Sequence, residues 1–396
     1  MSAVRVAILG ANGHVGSVLF RRLAGSRGVT PVGICRNTIG AAVVSNVPAE
    51  TRVGSVADPE AAPRLLAGCG VVVHTIWPGG DPDSVEEQTR CIIDNLSTID
   101  SLRRIIILSS VAVYGSCIDA RRSTFEDPRS DTLYGVQKIA ADRYAQRVFA
   151  GKSTELFILR LGHVFGADQW VSREVMTLSS NEHYALAFDG ARSANAIHVE
   201  EAADGLEWIV NAPIAPGTYN FCPFPQWSWR RIYDWHTEVC GLRRVGGLDA
   251  EASAGLRRHF ISEGRRPVVA KAVRDMAAWA RQVPYSSMLS PEIKRAVRPV
   301  LGLLPEAMKR RLIATSGIWT VRSQIRALQI GSADQYPWYC SDEMPGPYLP
   351  WPSRWAEHES PCAAELQAWY RSTMEPPRFA SPAIAVLTQR ASRDPE

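Results

Sequence analysis

The chain has 396 residues, of which 46% are hydrophobic, so it can bury a substantial core in one two-lobed unit or two domains. No apolar run approaches the roughly 20 residues that span a bilayer, and the apolar run at 4–9 leads into glycines rather than a cleavage site, so we predict a cytoplasmic protein. The eight cysteines include no C-x-x-C pair and no neighbouring histidine pattern, so we predict reduced thiols and no metal site.

Short aliphatic runs alternate with longer mixed segments over the first 170 residues. The runs lie at 4–9, 30–34, 71–75, 105–108 and 156–161, and they are nearly all apolar, as strands buried on both faces are. Helices are predicted between them at 14–24, 59–67, 84–102 and 133–149. This alternation predicts an α/β fold with a doubly wound parallel sheet.

A glycine-rich turn follows the first predicted strand directly and leads into the first predicted helix. Glycines permit a tight turn and let the backbone approach a diphosphate, whose charge is bound by free N–H groups at the helix N-terminus. This placement predicts a dinucleotide site. The residues expected to contact the dinucleotide are Gly10, Asn12, Gly13, His14, Val15 and Gly16.

The second predicted strand ends in Gly33-Ile-Cys-Arg36-Asn37, without a carboxylate. An acidic residue at this place usually binds the adenosine ribose hydroxyls of NAD. Arginine instead offers a flat, bidentate donor to a ribose phosphate, so Arg36 favours NADP as the cofactor. A solvated loop arginine is the alternative interpretation, and NAD stays open.

Tyr134 and Lys138 lie one turn apart near the start of a predicted helix, so they share a face. A free phenol has a pKa near 10 and accepts a proton at neutral pH only beside positive charge, which Lys138 and an oxidised nicotinamide would supply. The strand at 105–108 delivers Ser110 to the carboxyl end of the sheet, where it could donate a hydrogen bond to a substrate oxygen. We predict that all three are catalytic, that Ser110 and Tyr134 contact substrate, and that Lys138 also holds the nicotinamide ribose.

This ordered set of glycine turn, serine and Tyr/Lys helix resembles the extended short-chain dehydrogenase/reductase family of the NAD-dependent epimerase/dehydratase type. Arg160-Leu-Gly-His-Val-Phe-Gly166 and Ala196-Ile-His-Val-Glu-Glu201 are similar to further family segments, so the resemblance covers most of the first 240 residues. It implies a Rossmann fold, bound NAD(P) and a catalytic set of Ser110, Tyr134 and Lys138. It also implies homodimers through a two-helix face.

The chain departs from the family pattern at two places. Members that dehydrate a sugar usually carry an Asp-Glu pair directly after the catalytic Ser or Thr, but Val111 and Ala112 stand there, so we do not expect a 4,6-dehydratase. Nucleotide-sugar members often carry a diphosphate-binding arginine at a place that corresponds to Ala194. Arg192, two residues earlier, is the candidate substitute for binding substrate.

After Gly166 the alternation fades, and we predict a smaller, mainly helical and irregular C-terminal substrate lobe. The predicted division assigns residues 1–168 and about 190–240 to the NAD(P)-binding Rossmann domain, and about 169–189 and 241–396 to the lobe. The stretch 255–330 carries 15 Lys and Arg against 4 Asp and Glu. Its helical part, 292–328, has three interpretations: peripheral docking on an anionic membrane, binding of a substrate diphosphate, or a solvated basic face. No nucleic-acid recognition motif accompanies the charge.

These residues predict an NAD(P)-dependent oxidoreductase that acts on a small-molecule substrate. Our first choice is the reduction of a keto group on a nucleotide-linked sugar or a similar biosynthetic intermediate, with Tyr134 transferring the proton. One alternative is a nucleotide-sugar epimerase with retained NAD(P). The alternative of another class is a non-catalytic, cofactor-binding scaffold.

Overall fold

The computed structural model describes residues 3–78, 81–115, 123–130, 132–179, 185–253 and 344–374, together with the single positions Leu303, Pro305 and Met308. Apart from these three positions, the predicted helical segment 292–328 and the basic stretch 255–330 lie outside the described residues. The membrane-docking hypothesis depends on them and stays a prediction. Within the described ranges, no helix is both long and apolar enough to cross a membrane.

The described strands and helices alternate along the first two thirds of the chain. The strands are β1 (Val4–Leu9), β2 (Val29–Cys35), β3 (Glu50–Val53), β4 (Val71–His74), β5 (Arg104–Ser110), β6 (Glu155–Leu161), β7 (His163–Phe165), β8 (Ala185–Leu186), β9 (Ala196–His198), β10 (Gly217–Phe221) and β11 (Gly246–Gly247). The helices are α1 (His14–Ala24), α2 (Thr38–Val43), α3 (Ala61–Leu66), α4 (Pro82–Ser97), α5 (Leu133–Phe149), α6 (Trp170–Ser179), α7 (Val199–Ile209), α8 (Trp229–Cys240) and α9 (Trp355–Met374).

Seven parallel strands form one central sheet in the order β10-β6-β5-β4-β1-β2-β3. The chain builds outward from β1 to β3 and then returns to the other side of β1 with β4, which is the doubly wound topology. The predicted fold class is therefore confirmed. Two short parallel pairs, β7 with β9 and β8 with β11, lie outside this sheet.

The sheet is buried on both faces because helices cover each of them. Along β1, Val6 and Ile8 pack with α1 and α7, whereas Ala7 and Leu9 pack with α3 and α4 on the opposite face. This alternation follows from the two-residue period of a strand. A third apolar cluster joins α6, α8 and α9.

The structure confirms most of the predicted elements and corrects others. The bounds of β1, α1 and α5 agree with the predicted ranges. The predicted helix at 84–102 was wrong at both ends: Asp81 caps α4 and Pro82 starts it, while Thr98 ends it. The short elements α2 and β3 were missed. Strand β3 lies at an edge of the sheet and its residues are exposed or half-buried, so it lacks the apolar run by which the others were recognised.

Residues 344–354, here called the strap, connect the far edge of the sheet to α9. Leu349 N–H donates to the Asn220 carbonyl at 2.8 Å, and Asn220 N–H donates to the Pro347 carbonyl at 2.9 Å. Trp351 then packs edge-on against Phe221 with ring centroids 5.2 Å apart. The strap therefore extends the β10 edge and fixes the position at which α9 begins.

Candidate active site

A cleft of about 1080 Å³ lies at the carboxyl ends of the sheet strands, where ligands bind in open α/β folds. The loops after β1, β2, β3 and β4 line it, together with the end of β5 and parts of α1 and α5. The predicted site residues in this lining are Gly10, Asn12, Gly13, His14, Val15, Arg36, Tyr134 and Lys138. The structure thus brings these eight residues to a single cleft, whereas Gly16 and Ser110 are not part of its described lining.

The glycine turn after β1 leaves no room for side chains at its two ends. Gly10 has a φ of +82°, in the left-handed region that favours glycine. A Cβ on Gly16 would lie 2.1 Å from the Gly10 carbonyl oxygen, which is shorter than any van der Waals contact between these atoms. Gly16 is buried within the turn and holds it closed, while Gly10 and Gly13 face the cleft.

The turn fits the diphosphate of a dinucleotide. Gly13 is the N-cap residue of α1 and has no side chain that could bond the first N–H groups, and the first turn of α1 contains no acidic residue. The N-terminus of such a helix, with the positive end of its dipole, is a common binding place for an anion. Because the turn and the open cleft suit a dinucleotide, the residues present fit the cofactor that the sequence predicts.

Arg36 and Asn37 line the opposite end of the cleft, beside residues 54–57 of the loop after β3. In the part of the chain that the structure describes, no carboxylate contributes to the lining at this end. Asn37 caps α2 by accepting a hydrogen bond from Gly40 N–H at 2.8 Å, so its side chain is committed locally. Arg36 is the charged group that an adenosine ribose would meet here.

The helix α5 begins so that Tyr134 and Lys138 face the cleft. Thr132 caps the helix by accepting a hydrogen bond from Gly135 N–H at 3.0 Å. A Cβ on Gly135 would lie 2.2 Å from the Ala112 carbonyl oxygen, so only glycine permits α5 to approach the turn after β5 this closely. That approach joins the side chains of Tyr134 and Ser110 by a hydrogen bond.

Burial sets the charge state of the Tyr/Lys pair. Desolvation raises the pKa of Tyr134, although the hydrogen bond with Ser110 opposes it. Burial lowers the pKa of Lys138 to about 8, and the carboxylate of Asp142 opposes that shift. The Lys138 ammonium donates to the Leu108 carbonyl at 2.9 Å and lies 5.8 Å from the centre of the Tyr134 ring. In this arrangement Tyr134 is a protonated phenol and Lys138 is the adjacent cation.

Trp77, in the loop after β4, contacts both residues of the pair. Its ring meets Tyr134 edge-on, with centroids 5.1 Å apart and planes at 87°. The Lys138 ammonium lies 4.1 Å from the centre of the same ring, within the range of a cation–π interaction. Sequence reasoning missed Trp77, because the only local signal is a tryptophan shortly after a strand end.

A buried polar network lies behind Lys138 on α5. Asp142, one turn further along the helix, accepts a hydrogen bond from Ser109 at 2.9 Å and lies 3.7 Å from the Arg160 guanidinium. Arg160 donates to the Tyr114 hydroxyl at 2.9 Å. Burial raises the pKa of Asp142 to about 6. Sequence reasoning missed this network too, although the spacing of four between Lys138 and Asp142 was a signal for a shared helix face.

Two predicted substrate residues differ in their position. Ser110 is half-buried and accepts a hydrogen bond from Ala112 N–H at 3.1 Å, next to Tyr134. Arg192 instead lies with its guanidinium 4.8 Å from the centre of the Phe188 ring, and it is not part of the described lining of the cleft. Its role in substrate binding therefore stays a prediction. Val111 and Ala112 form a 3₁₀ turn directly after Ser110, with Val111 buried.

A family model described as the NAD dependent epimerase/dehydratase family matches residues 6–222 of this sequence. No curated protein matches the chain.

Solved structures of sugar-nucleotide enzymes share the fold. A UDP-N-acetylglucosamine 4-epimerase from Bacillus cereus has a TM-score of 0.51 and 17% identity, over 62% of this chain and 86% of that one. A UDP-N-acetylglucosamine 4-epimerase from Methanobrevibacter ruminantium has a TM-score of 0.50 and 19% identity, over 63% of this chain and 86% of that one. A UDP-glucuronic acid 4-epimerase from Bacillus cereus, solved with NAD, has a TM-score of 0.50 and 18% identity, over 62% and 88%.

Proposed function

Because the chain belongs to the NAD dependent epimerase/dehydratase family, a family of NAD-dependent enzymes, we propose that it oxidises or reduces a carbon–oxygen centre on a nucleotide-linked sugar or a similar intermediate. The observation that carries the proposal is the position of Tyr134, Lys138 and the glycine turn on one cleft. Tyr134 lines this cleft with part of its side chain exposed, while the neighbouring Lys138 is buried.

Each residue has a chemical role in this proposal. The N–H groups at the start of α1 bind the diphosphate, and Lys138 binds the nicotinamide ribose. A bound nicotinamide supplies the hydride donor or acceptor. Ser110 donates a hydrogen bond to the reacting oxygen, and Tyr134 gives that oxygen its proton during reduction or removes it during oxidation. The raised pKa of Tyr134 keeps the hydroxyl protonated, which suits donation to a carbonyl oxygen.

Epimerisation and net reduction use these same residues and differ in what happens to the oxidised intermediate. An epimerase keeps the cofactor and returns the hydrogen to the opposite face of the sugar carbon, whereas a reductase releases the oxidised cofactor after each turnover. Family membership favours epimerisation at least as much as reduction. The absence of acids at Val111 and Ala112 speaks against sugar dehydration, which needs a separate acid and base.

The decisive experiment is turnover of UDP-sugars by the purified full-length chain, beginning with UDP-N-acetylglucosamine and UDP-glucuronic acid, the substrates named for the similar epimerases. An epimerase should convert the sugar without net change in nicotinamide absorbance. An enzyme of net redox chemistry should instead oxidise a hydroxyl of these sugars to a ketone and reduce added NAD(P)⁺, the reverse of ketone reduction. Tyr134→Phe should lower turnover about 10²- to 10⁴-fold with little change in cofactor affinity. Wild-type turnover in Tyr134→Phe would contradict the assigned acid/base role, and cofactor binding without any turnover would favour the scaffold alternative.

The proposal extends to NADP because Arg36 lines the adenosine end of the cleft. A guanidinium binds a ribose phosphate in two parallel hydrogen bonds and loses that gain with NAD. We expect tighter binding of NADPH than NADH in the wild type and loss of this preference in Arg36→Ala. Fluorescence titration with both cofactors tests this, and equal affinities in both proteins would leave NAD as the cofactor.

A further inference from the structure

The helix α9 turns one face toward the same cleft as the glycine turn. The residues of α9 that line the cleft are Glu365, Ala368, Trp369 and Ser372. Their spacings of three and four place them on one stripe of the helix. The family model matches residues 6–222, so this part of the cleft wall lies outside the matched region.

The other face of α9 is fixed to the body of the protein. Leu366 is fully buried in the apolar cluster with α6 and α8, and Cys362 is buried as well. Gln367 donates to the Val239 carbonyl of α8 at 3.0 Å. At the start of the helix, the strap is held by an ion pair between Arg354 and Asp204 of α7. The helix is therefore a built wall rather than a loosely attached segment.

A buried cation connects α9 to the glycine turn. Gln169, just before α6, donates to the carbonyl of His14 at 3.4 Å, which places this end of α6 against the turn. One turn further along α6, Arg173 lines the cleft with a side chain that is only 2% exposed and forms an ion pair with Asp168. Its guanidinium lies 5.9 Å from the centre of the Trp369 ring. Trp369 thus packs the cation close to where the diphosphate would lie.

We propose that α9 is the outer wall of the dinucleotide site and slows release of the cofactor, with Trp369 holding Arg173 beside the diphosphate. This inference rests on the proposed function in one respect, which is that a dinucleotide occupies the cleft. A wall of this kind is useful to an enzyme that keeps its cofactor through many turnovers, because slow release preserves the oxidised intermediate for the return step.

The test is the rate at which bound NADPH or NADH leaves the full-length protein, followed by nicotinamide fluorescence after addition of excess unlabelled oxidised cofactor. Trp369→Ala should accelerate release about tenfold. The substitution removes the cation–π contact with Arg173 and the packing of the indole ring, and a loss of about 1.4 kcal/mol corresponds to a factor of ten. Arg371→Gln is the matched control, since it changes an exposed residue of the same helix that is not part of the described cleft lining. Its release rate should stay within about twofold of the wild type.

Two further variants separate a lost wall from a damaged fold. Ala368→Glu adds a negative charge at an exposed position on the cleft face, so it should also accelerate release without disturbing the core. Arg173→Gln combined with Trp369→Ala should release cofactor no faster than Arg173→Gln alone, because Trp369 acts through Arg173. Rates equal to wild type in both Trp369→Ala and Ala368→Glu would overturn the inference while leaving the proposed function intact. A wild-type protein that binds no dinucleotide would overturn both.

Discussion

The glycine turn and the cleft-facing side of α5 offer opposite kinds of chemistry to the cleft. The turn offers backbone groups and depends on positions where no side chain is present, such as Gly16. The α5 face acts through Tyr134, Lys138 and the carboxylate of Asp142, which are packed where burial shifts their proton affinities. Substitutions in the turn should therefore act through steric exclusion, whereas substitutions on α5 should act through charge.

The largest effect is expected on the α5 side. Lys138→Met keeps the volume of the side chain and removes the ammonium that lies beneath the Tyr134 ring, so turnover should fall by about 10²-fold or more. Cofactor affinity should fall as well if Lys138 holds the ribose. Val136→Met, which changes an exposed residue of the same helix, is the control for altered helix surface. Steady-state kinetics of the two variants decides this, and equal turnover would show that the charge is not needed.

The turn should respond to a single methyl group. A Cβ at Gly16 would lie 2.1 Å from the Gly10 carbonyl oxygen, whereas a Cβ at Gly13 would lie 3.2 Å from the same atom. Gly16→Ala should therefore weaken dinucleotide binding about a hundredfold, and Gly13→Ala should weaken it much less. Cofactor titration by calorimetry measures both affinities. Similar losses in the two variants would mean that the distance between the added Cβ and the Gly10 carbonyl oxygen does not determine the loss of affinity.

Asp142 gives the α5 face a pH dependence. Its pKa is raised from 3.8 to about 6, so the folded protein binds this proton more tightly than the unfolded chain does. The resulting stabilisation is complete below about pH 4 and is lost as the pH rises to about 6, which amounts to up to about 3 kcal/mol of unfolding free energy. Asp142→Asn should flatten this slope in urea denaturation at several pH values. The exposed Asp100→Asn should leave it unchanged, and an unchanged slope in both would contradict the assignment to Asp142.

The smallest expected effect is at Trp77. Replacing it with Leu removes the edge-on contact with Tyr134 and the cation–π contact with Lys138, each worth about 1 kcal/mol. Turnover should fall roughly tenfold while dinucleotide affinity changes little. Kinetics and titration of the same protein distinguish these quantities. An equal loss of affinity would place Trp77 with the cofactor rather than with the acid/base pair.

The same contrast explains how much could be predicted from the sequence. The turn and the Tyr134/Lys138 pair are encoded within five to seven residues, so spacing alone located them on the cleft. Trp77, Asp142 and Arg173 act through neighbours that are distant along the chain, and spacing does not reveal such contacts. The predicted substrate arginine shows the limit of this approach, because Arg192 contacts Phe188 rather than the described cleft lining.

Secondary structure shows a similar division. Strands buried on both faces were recognised in the sequence as apolar runs. The edge strand β3 contains Glu50 and Arg52, so it shows no such run and was missed. The end of α4 was overestimated because apolar residues continue past Ser97 into the turn that leads to β5. The cleft wall on α9 lies some 350 residues after the glycine turn, and no local pattern connects the two.

The strap also bears on the solubility of the folded chain. An uncovered edge strand offers unpaired N–H and C=O groups to other molecules and so promotes aggregation. At one edge of this sheet, β3 is only four residues long and carries Glu50, which pairs with Arg5 at 2.5 Å. At the other edge, the strap occupies both backbone groups of Asn220. Removing residues 344–350 should therefore convert the β10 edge into a nucleus for intermolecular β-pairing.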